Sequence, residues 1–146
     1  QVNNQVARFL QSLDSEFDTL HDQLAQSVTR VAVQLARQVL RAELEIAPAH
    51  VVTVAAEAVE AVLLSARHIT VHVHPQDLPL VSVGAQEVLQ ARGARLIGSP
   101  GVERGGCRVE SNAGAIDARI ATRWAQAAGA MGSAEPWHDE QAEGDA

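Results

Sequence analysis

Tyrosine and lysine are absent from the 146 residues, so all 11 basic residues are arginine, and aromatics make up only 3% of the chain. With alanine abundant, this is the profile of a soluble, helix-favouring protein. A single cysteine, Cys107, excludes an intrachain disulfide and a multi-cysteine metal site, and suits a reducing compartment. Positive charge is scarce too. The formal net charge is −7, against a nucleic-acid binder that works by phosphate neutralisation. Five of the acids, Glu135, Asp139, Glu140, Glu143 and Asp145, crowd the last dozen residues, leaving about −2 for the rest. No apolar run is long enough to span a bilayer, and no charged-then-apolar leader opens the chain. Because it opens at Gln1 rather than methionine, the chain is read as a fragment of a longer protein.

Neither proline nor glycine occurs before Pro48, which leaves a long uninterrupted stretch for one helix. Its apolar stripe runs through Val6, Leu10, Leu13, Phe17, Leu20, Leu24, Val28, Val31, Leu35, Val39, Ala42 and Ile46. Steps of four and three alternate up to Leu24, the seam of a left-handed coiled coil. Beyond it the period relaxes toward that of a straight helix. The spacing predicts a dimer interface at Leu10, Leu13, Phe17, Leu20 and Leu24, and a later part that packs on its own domain. The alternative is a stripe packed wholly inside a monomer. Few residues remain to cover a helix about 60 Å long.

Pro48 suits the first residue of a second helix, with Val51, Val52, Ala55, Val59, Val62, Leu63 and Ala66 at helical spacing and an end near Arg67. Ile69, Val71 and Val73 then alternate with Thr70, His72 and His74 as a strand stopped by Pro75. Asp77 reads as the N-cap of a third helix to about Ala91, weakened by Gly84 and stopped by Gly93. Residues 94–98 read as a strand and residues 99–105 as a loop. From Gly105 to Trp124 come two short strands around a turn at residues 111–114, then a final helix capped by Asp117 with Ile120, Trp124, Ala127 or Ala128, and Met131 on its apolar face. After Gly132 the sequence has no apolar period and concentrated negative charge, so disorder is expected.

The fold class is therefore α+β: a long N-terminal helix and a small α/β head in the order α-α-β-α-β-β-β-α. The expected boundaries are 1–46 for the dimerisation helix, 47–131 for the head and 132–146 for an acidic tail.

Chemistry is sparse. His72 and His74 share one strand face and could offer two imidazoles to a metal, with Asp77, His68 or Cys107 as a third ligand. Solvated histidines are the plainer reading. Cys107 could be a nucleophile, but it falls on the apolar face of its strand, as a buried structural thiol does. The glycines of residues 98–106 lack the GK[ST] of a phosphate loop. Glu103, Glu110 and Asp117 show no spacing of an acid and base pair. No catalytic residue, cofactor or metal site is assigned. Two interaction candidates remain: Ile120 with Trp124 on the last helix, against a plain core role, and Trp137 in the acidic tail as a docking segment.

A long helix leading into Gly105-Gly106-Cys107-Arg108-Val109-Glu110-Ser111, then Gly114-Ala115-Ile116-Asp117-Ala118 and a helix carrying Thr122-Arg123-Trp124, resembles the FliH family of flagellar assembly proteins. More distantly it resembles type III secretion counterparts and the E subunit of V/A-type ATPase peripheral stalks. Residues 69–81, with Pro75 and Asp77-Leu78-Pro79, are similar to the family pattern too. The resemblance covers roughly residues 20–131. It implies a non-enzymatic homodimer whose heads bind the N-terminal helix of the flagellar export ATPase. It also implies a cytoplasmic location peripheral to the export apparatus at the inner membrane, and a link to the cytoplasmic ring of the motor through a more N-terminal region. Ile120 and Trp124 are the residues expected to face or support that ATPase contact. Competing readings are a virulence-type secretion stator, a peripheral-stalk subunit and, of another class, a small metal-dependent hydrolase using His72, His74 and Cys107.

Overall fold

The computed structural model describes residues 1–139. It is an α+β fold in which the stalk helix α1 (Val2–Ile46) precedes a head made of α2 (His50–Glu60), β1 (Thr70–Val73), α3 (Leu78–Gly84), α4 (Gln86–Arg92), β2 (Arg95–Gly98), β3 (Cys107–Ser111), β4 (Gly114–Ala118) and α5 (Ile120–Ala130). The strands form one sheet in the order β2-β1-β3-β4, with β1 and β2 parallel and the other pairs antiparallel.

Alternation along β1 and β3 turns Val71, Val73, Cys107 and Val109 to the face covered by α2, α3 and α4. Val51, Ala55 and Val59 of α2, Val81 of α3 and Leu89 of α4 meet them there. This is a valine-rich core with no aromatic ring in it.

Several element boundaries differ from the sequence reading, each for a local reason. Pro48 lies in the turn before α2 rather than in its first helical turn. Helix α2 stops at Glu60, not near Arg67, and the Arg92 guanidinium donates to the carbonyls of Val59, Val62 and Leu63. A side chain from α4 thus ties down the turn after α2, supplying a donor to the Val62 carbonyl and second donors to those of Val59 and Leu63, which also accept from the Val62 and Ala66 N–H groups. The third helix divides into α3 and α4 at Ala85, whose backbone is no longer helical (φ −109°, ψ 17°). A Cβ at Gly84 would lie 2.7 Å from Val52 Cγ1, so glycine permits α2 and α3 to approach where the division occurs. Asp77 stands at the N-cap position of α3 without a side-chain capping bond. Its carboxylate, fully buried, instead accepts from Arg104 Nε and Nη2 (2.9 and 2.8 Å) and from the Gly105 N–H (2.8 Å).

That clip sets the course of residues 99–106 beneath the start of α5. Gly105 is left-handed (φ 87°), and a Cβ there would sit 3.0 Å from both Ile120 Cδ1 and Leu44 Cδ2. At Gly106 a Cβ would meet the Arg119 backbone at 2.9 Å. The paired glycines therefore let the end of the stalk, the loop and α5 converge. Asp117 holds the turn into α5, accepting from the Arg119 N–H (3.0 Å) and the Thr122 hydroxyl (2.8 Å).

The segment after α5 departs most from expectation. Residues 133–139, in the tail read as disordered, run back across α5 onto α1, and Trp137 is only 6% exposed. A second, smaller core results from Val33, Trp124, Ala128 and Trp137, with Leu44 and Ile120 beside it. Apolar area on α1 and α5 gives this short segment something to bury against, which its own composition does not reveal. The rest of the acidic tail, 140–146, lies outside the described residues.

Candidate partner-docking site

The stalk helix presents two different faces. At about 100° per residue, Val33, Arg37, Arg41 and Leu44 fall on one side of α1, and these are the positions drawn toward the head. The apolar stripe from Val6 to Ile46 lies roughly 155° away around the same helix. Leu10, Phe17, Leu20 and Leu24 are exposed and Leu13 is half-buried, and the exposed stripe continues through Val28, Val31, Leu35, Val39 and Ile46. The later part of the stalk does meet its own head, but through the opposite face from the one the apolar spacing suggests. Of the 45 residues of α1, Val33 is the buried one.

Between α1, α2 and α5 lies an apolar groove of about 730 Å³. Ala36, Leu40 and Leu44 form its stalk wall, Thr53 and Val54 its α2 wall, and Ile120 and Ala127, with Met131 at the C-cap, its α5 wall. Leu40 and Met131 are 46% and 54% exposed, so the groove opens to solvent along apolar edges. Glu43, His50, Glu57 and Arg123 supply its polar margin. Of the two α5 residues expected to contact a partner, Ile120 is half-buried on this groove. Trp124 is buried, and its indole Nε1–H donates to the Glu135 carbonyl (2.8 Å), so it supports the groove end rather than facing outward.

Trp137 closes that end. Its ring lies 5.5 Å from that of Trp124 at 53°, a tilted aromatic pair, and the Arg41 guanidinium stands 5.1 Å above it. Arg41 also donates to the Trp137 carbonyl, and Arg37 to that of Pro136 (2.8 Å). Arg37 pairs further with Glu135 and Asp139, each at 3.4 Å. Sequence reasoning missed both arginines. Their only signal was a spacing of four on the side of α1 away from the stripe.

The metal and nucleophile readings do not converge on one place. In the β1–β3 register His72 stands opposite Arg108, and Cys107 opposite Val73, which puts the thiol on the buried face and the histidines on the other. His72 is hydrogen-bonded to Ser99 Oγ (2.8 Å) and Glu110 (3.3 Å), and His74 Nδ1 accepts from the Gln76 N–H. Burial pushes the Cys107 thiol up to about 11, outweighing the opposing influence of Arg123, which leaves it protonated and inert at neutral pH. Among the described residues, no group of three or more His, Cys, Asp or Glu side chains could hold a metal ion. No helix among them is long and apolar enough to cross a membrane.

The family model described as flagellar assembly protein FliH matches residues 1–127 of this chain. The flagellar assembly protein FliH of Salmonella typhimurium (strain LT2) is 31% identical over 119 residues, covering 79% of this chain and 51% of that protein. That of Escherichia coli (strain K12) is 32% identical over 119 residues, covering 79% and 52%. The chain thus spans about half the length of the curated relatives it matches. The match runs through the stalk, α2, the adjacent glycines Gly105 and Gly106, the sheet and most of α5, and takes in the groove lining except Ala128, Met131 and Trp137. The chain belongs to the FliH family of flagellar assembly proteins, a non-enzymatic family.

Proposed function

We propose that this chain is a stator or adaptor of the flagellar type III export apparatus, dimerising through α1 and holding the N-terminal helix of the export ATPase on its head. The observation that carries the docking claim is the open apolar groove between α1, α2 and α5. Its shape suits a helix-in-groove contact, in which one apolar face is buried and the polar face stays at the rim. The unpartnered stripe from Val6 to Ile46 supports pairing of two stalks, since so long an apolar face left in water is a liability. Both matched relatives are flagellar, which favours this setting over a virulence-type secretion system. In this reading the protein works on the cytoplasmic side, peripheral to the inner membrane. Contact with the motor's cytoplasmic ring belongs to a more N-terminal region.

Calorimetry with a synthetic peptide of the ATPase N-terminal segment, at tens of micromolar, tests the reading. Saturable binding that Leu40→Glu weakens at least tenfold is the expected result. Binding indifferent to Leu40→Glu would move the site elsewhere on the head, and no binding would remove the docking claim for this chain.

A further inference from the structure

The geometry points to residues 133–139 as a C-terminal latch that clamps the stalk to the head and closes one end of the groove, so that a helical partner must compete with it. The inference rests in part on the proposed docking of the ATPase helix, and its clamp component stands without it. The latch is a bound peptide in all but covalent connection. It has an aromatic anchor, Trp137, set on Trp124, Val33 and Ala128. Glu135 and Asp139 face Arg37, and the carbonyls of Pro136 and Trp137 accept from Arg37 and Arg41. Val33 and Trp124 beneath it lie within the family match, while Ala128 and the latch itself lie beyond residue 127, where that match ends.

Two features make the segment a latch rather than ordinary core. First, the stalk has little else to hold it: Val33 is its one buried residue, and Leu44 is half-buried against Gly105 and Ile120. Without Trp137 the stalk would pivot at the turn of residues 47–49. Second, Trp137 lines both the groove of about 730 Å³ and a neighbouring cleft of about 580 Å³ bordered by Trp124, Ala125 and Pro136. Trp124 lines both as well, so the two indoles together stand between groove and cleft. Lifting the Trp137 ring opens that end of the groove and uncovers Val33, Trp124 and Ala128, so an amphipathic helix longer than the open groove gains apolar contact by displacing the latch.

The chain carries its own reporter, because Trp124 and Trp137 are its two tryptophans and it has no tyrosine. The experiment has two arms on the full chain. In the partner-free arm, spin labels at Gln26→Cys and Ala113→Cys, with Cys107 too buried to react, report the stalk-to-head distance distribution in wild type and in Trp137→Ala. Broadening in Trp137→Ala is expected, and Glu135→Arg should broaden it again unless combined with Arg37→Glu. An unchanged distribution in both single variants overturns the clamp. In the second arm, the ATPase N-terminal peptide is titrated into wild type and Trp137→Ala. Roughly tenfold tighter binding to the variant, with loss of the indole–indole circular dichroism couplet as peptide saturates wild type, supports displacement. Equal affinities with the couplet intact overturn displacement while leaving the docking reading in place. If neither protein binds the peptide, the docking reading fails, displacement falls with it, and the distance distributions alone decide the clamp.

Discussion

The carboxylate of Asp77 accepts a hydrogen bond from the backbone N–H of Gly105 at 2.8 Å, joining the start of α3 to the loop that leads into β3 across 28 residues of sequence. Arg104 completes the site, and Asp77 has no exposed surface. Asp77→Ala removes an acceptor from a buried charged cluster and should destabilise the head by about 3 kcal/mol. Urea unfolding checks this. A loss near zero would mean that water replaces the carboxylate.

Gly106 lies so close to α5 that a methyl group there would press on the Arg119 backbone at 2.9 Å. Gly106→Ala should cost about 1–3 kcal/mol through overpacking. Gly129, inside α5 with nothing within 4 Å of where a methyl group would sit, is the control. Gly129→Ala should be neutral or stabilise by up to about 1 kcal/mol, because the helix gains propensity at no steric cost. Denaturation midpoints moving in opposite directions are the expected pattern.

Val31 and Val33 are two positions apart on the stalk and 65% and 1% exposed. Val31→Asp should lower the solution mass toward that of a monomer and leave the head intact, as should Leu13→Asp combined with Leu20→Asp. Val33→Ala should keep the mass, cost on the order of 1–2 kcal/mol, and make Trp124 more accessible to a soluble quencher. Light scattering and fluorescence quenching separate the two. Equal masses for all variants would show that the stripe has another use.

The guanidinium of Arg119 foremost, with its backbone N–H and the Thr122 hydroxyl, holds the Asp117 carboxyl well below the usual carboxylate range. A depressed folded-state pKa stabilises the fold fully above the unfolded value of about 3.9, and the contribution fades as pH falls toward the folded value. Asp117→Asn should therefore be less stable than wild type at about pH 7, with the gap narrowing toward about pH 2.5. A gap that stays constant across that range would show that the carboxylate charge is not the cause.

Local pattern and tertiary packing contributed different things. The glycine- and proline-free start, the stripe from Val6 to Ile46, the alternation in β1 and β3, and the turn at residues 111–114 all belong to short-range periodicity, and they appear in the structure where the sequence places them. Periodicity locates an apolar face but does not say what meets it. The stripe and the face of Val33, Arg37, Arg41 and Leu44 differ by half a turn of the same helix, and the head took the less apolar one. Asp77 and Asp117 both read as caps from residue type alone, yet Asp77 serves a partner 27 residues away in Arg104 and a loop N–H beyond it. Such partners are invisible to a window of a few residues.

By itself, then, the sequence determined an α+β chain with a long apolar-striped stalk and a small sheet-bearing head, because helix and strand periods and turn residues act over short separations. Only the tertiary structure decided that Trp124 faces Trp137 rather than solvent, that Arg37 and Arg41 receive the tail, and that a groove remains open between stalk and head. The reason is physical. Segment 133–139 has no apolar period of its own, and its place is set where α1 and α5, about 90 residues apart in sequence, come together to offer a surface on which one indole is buried.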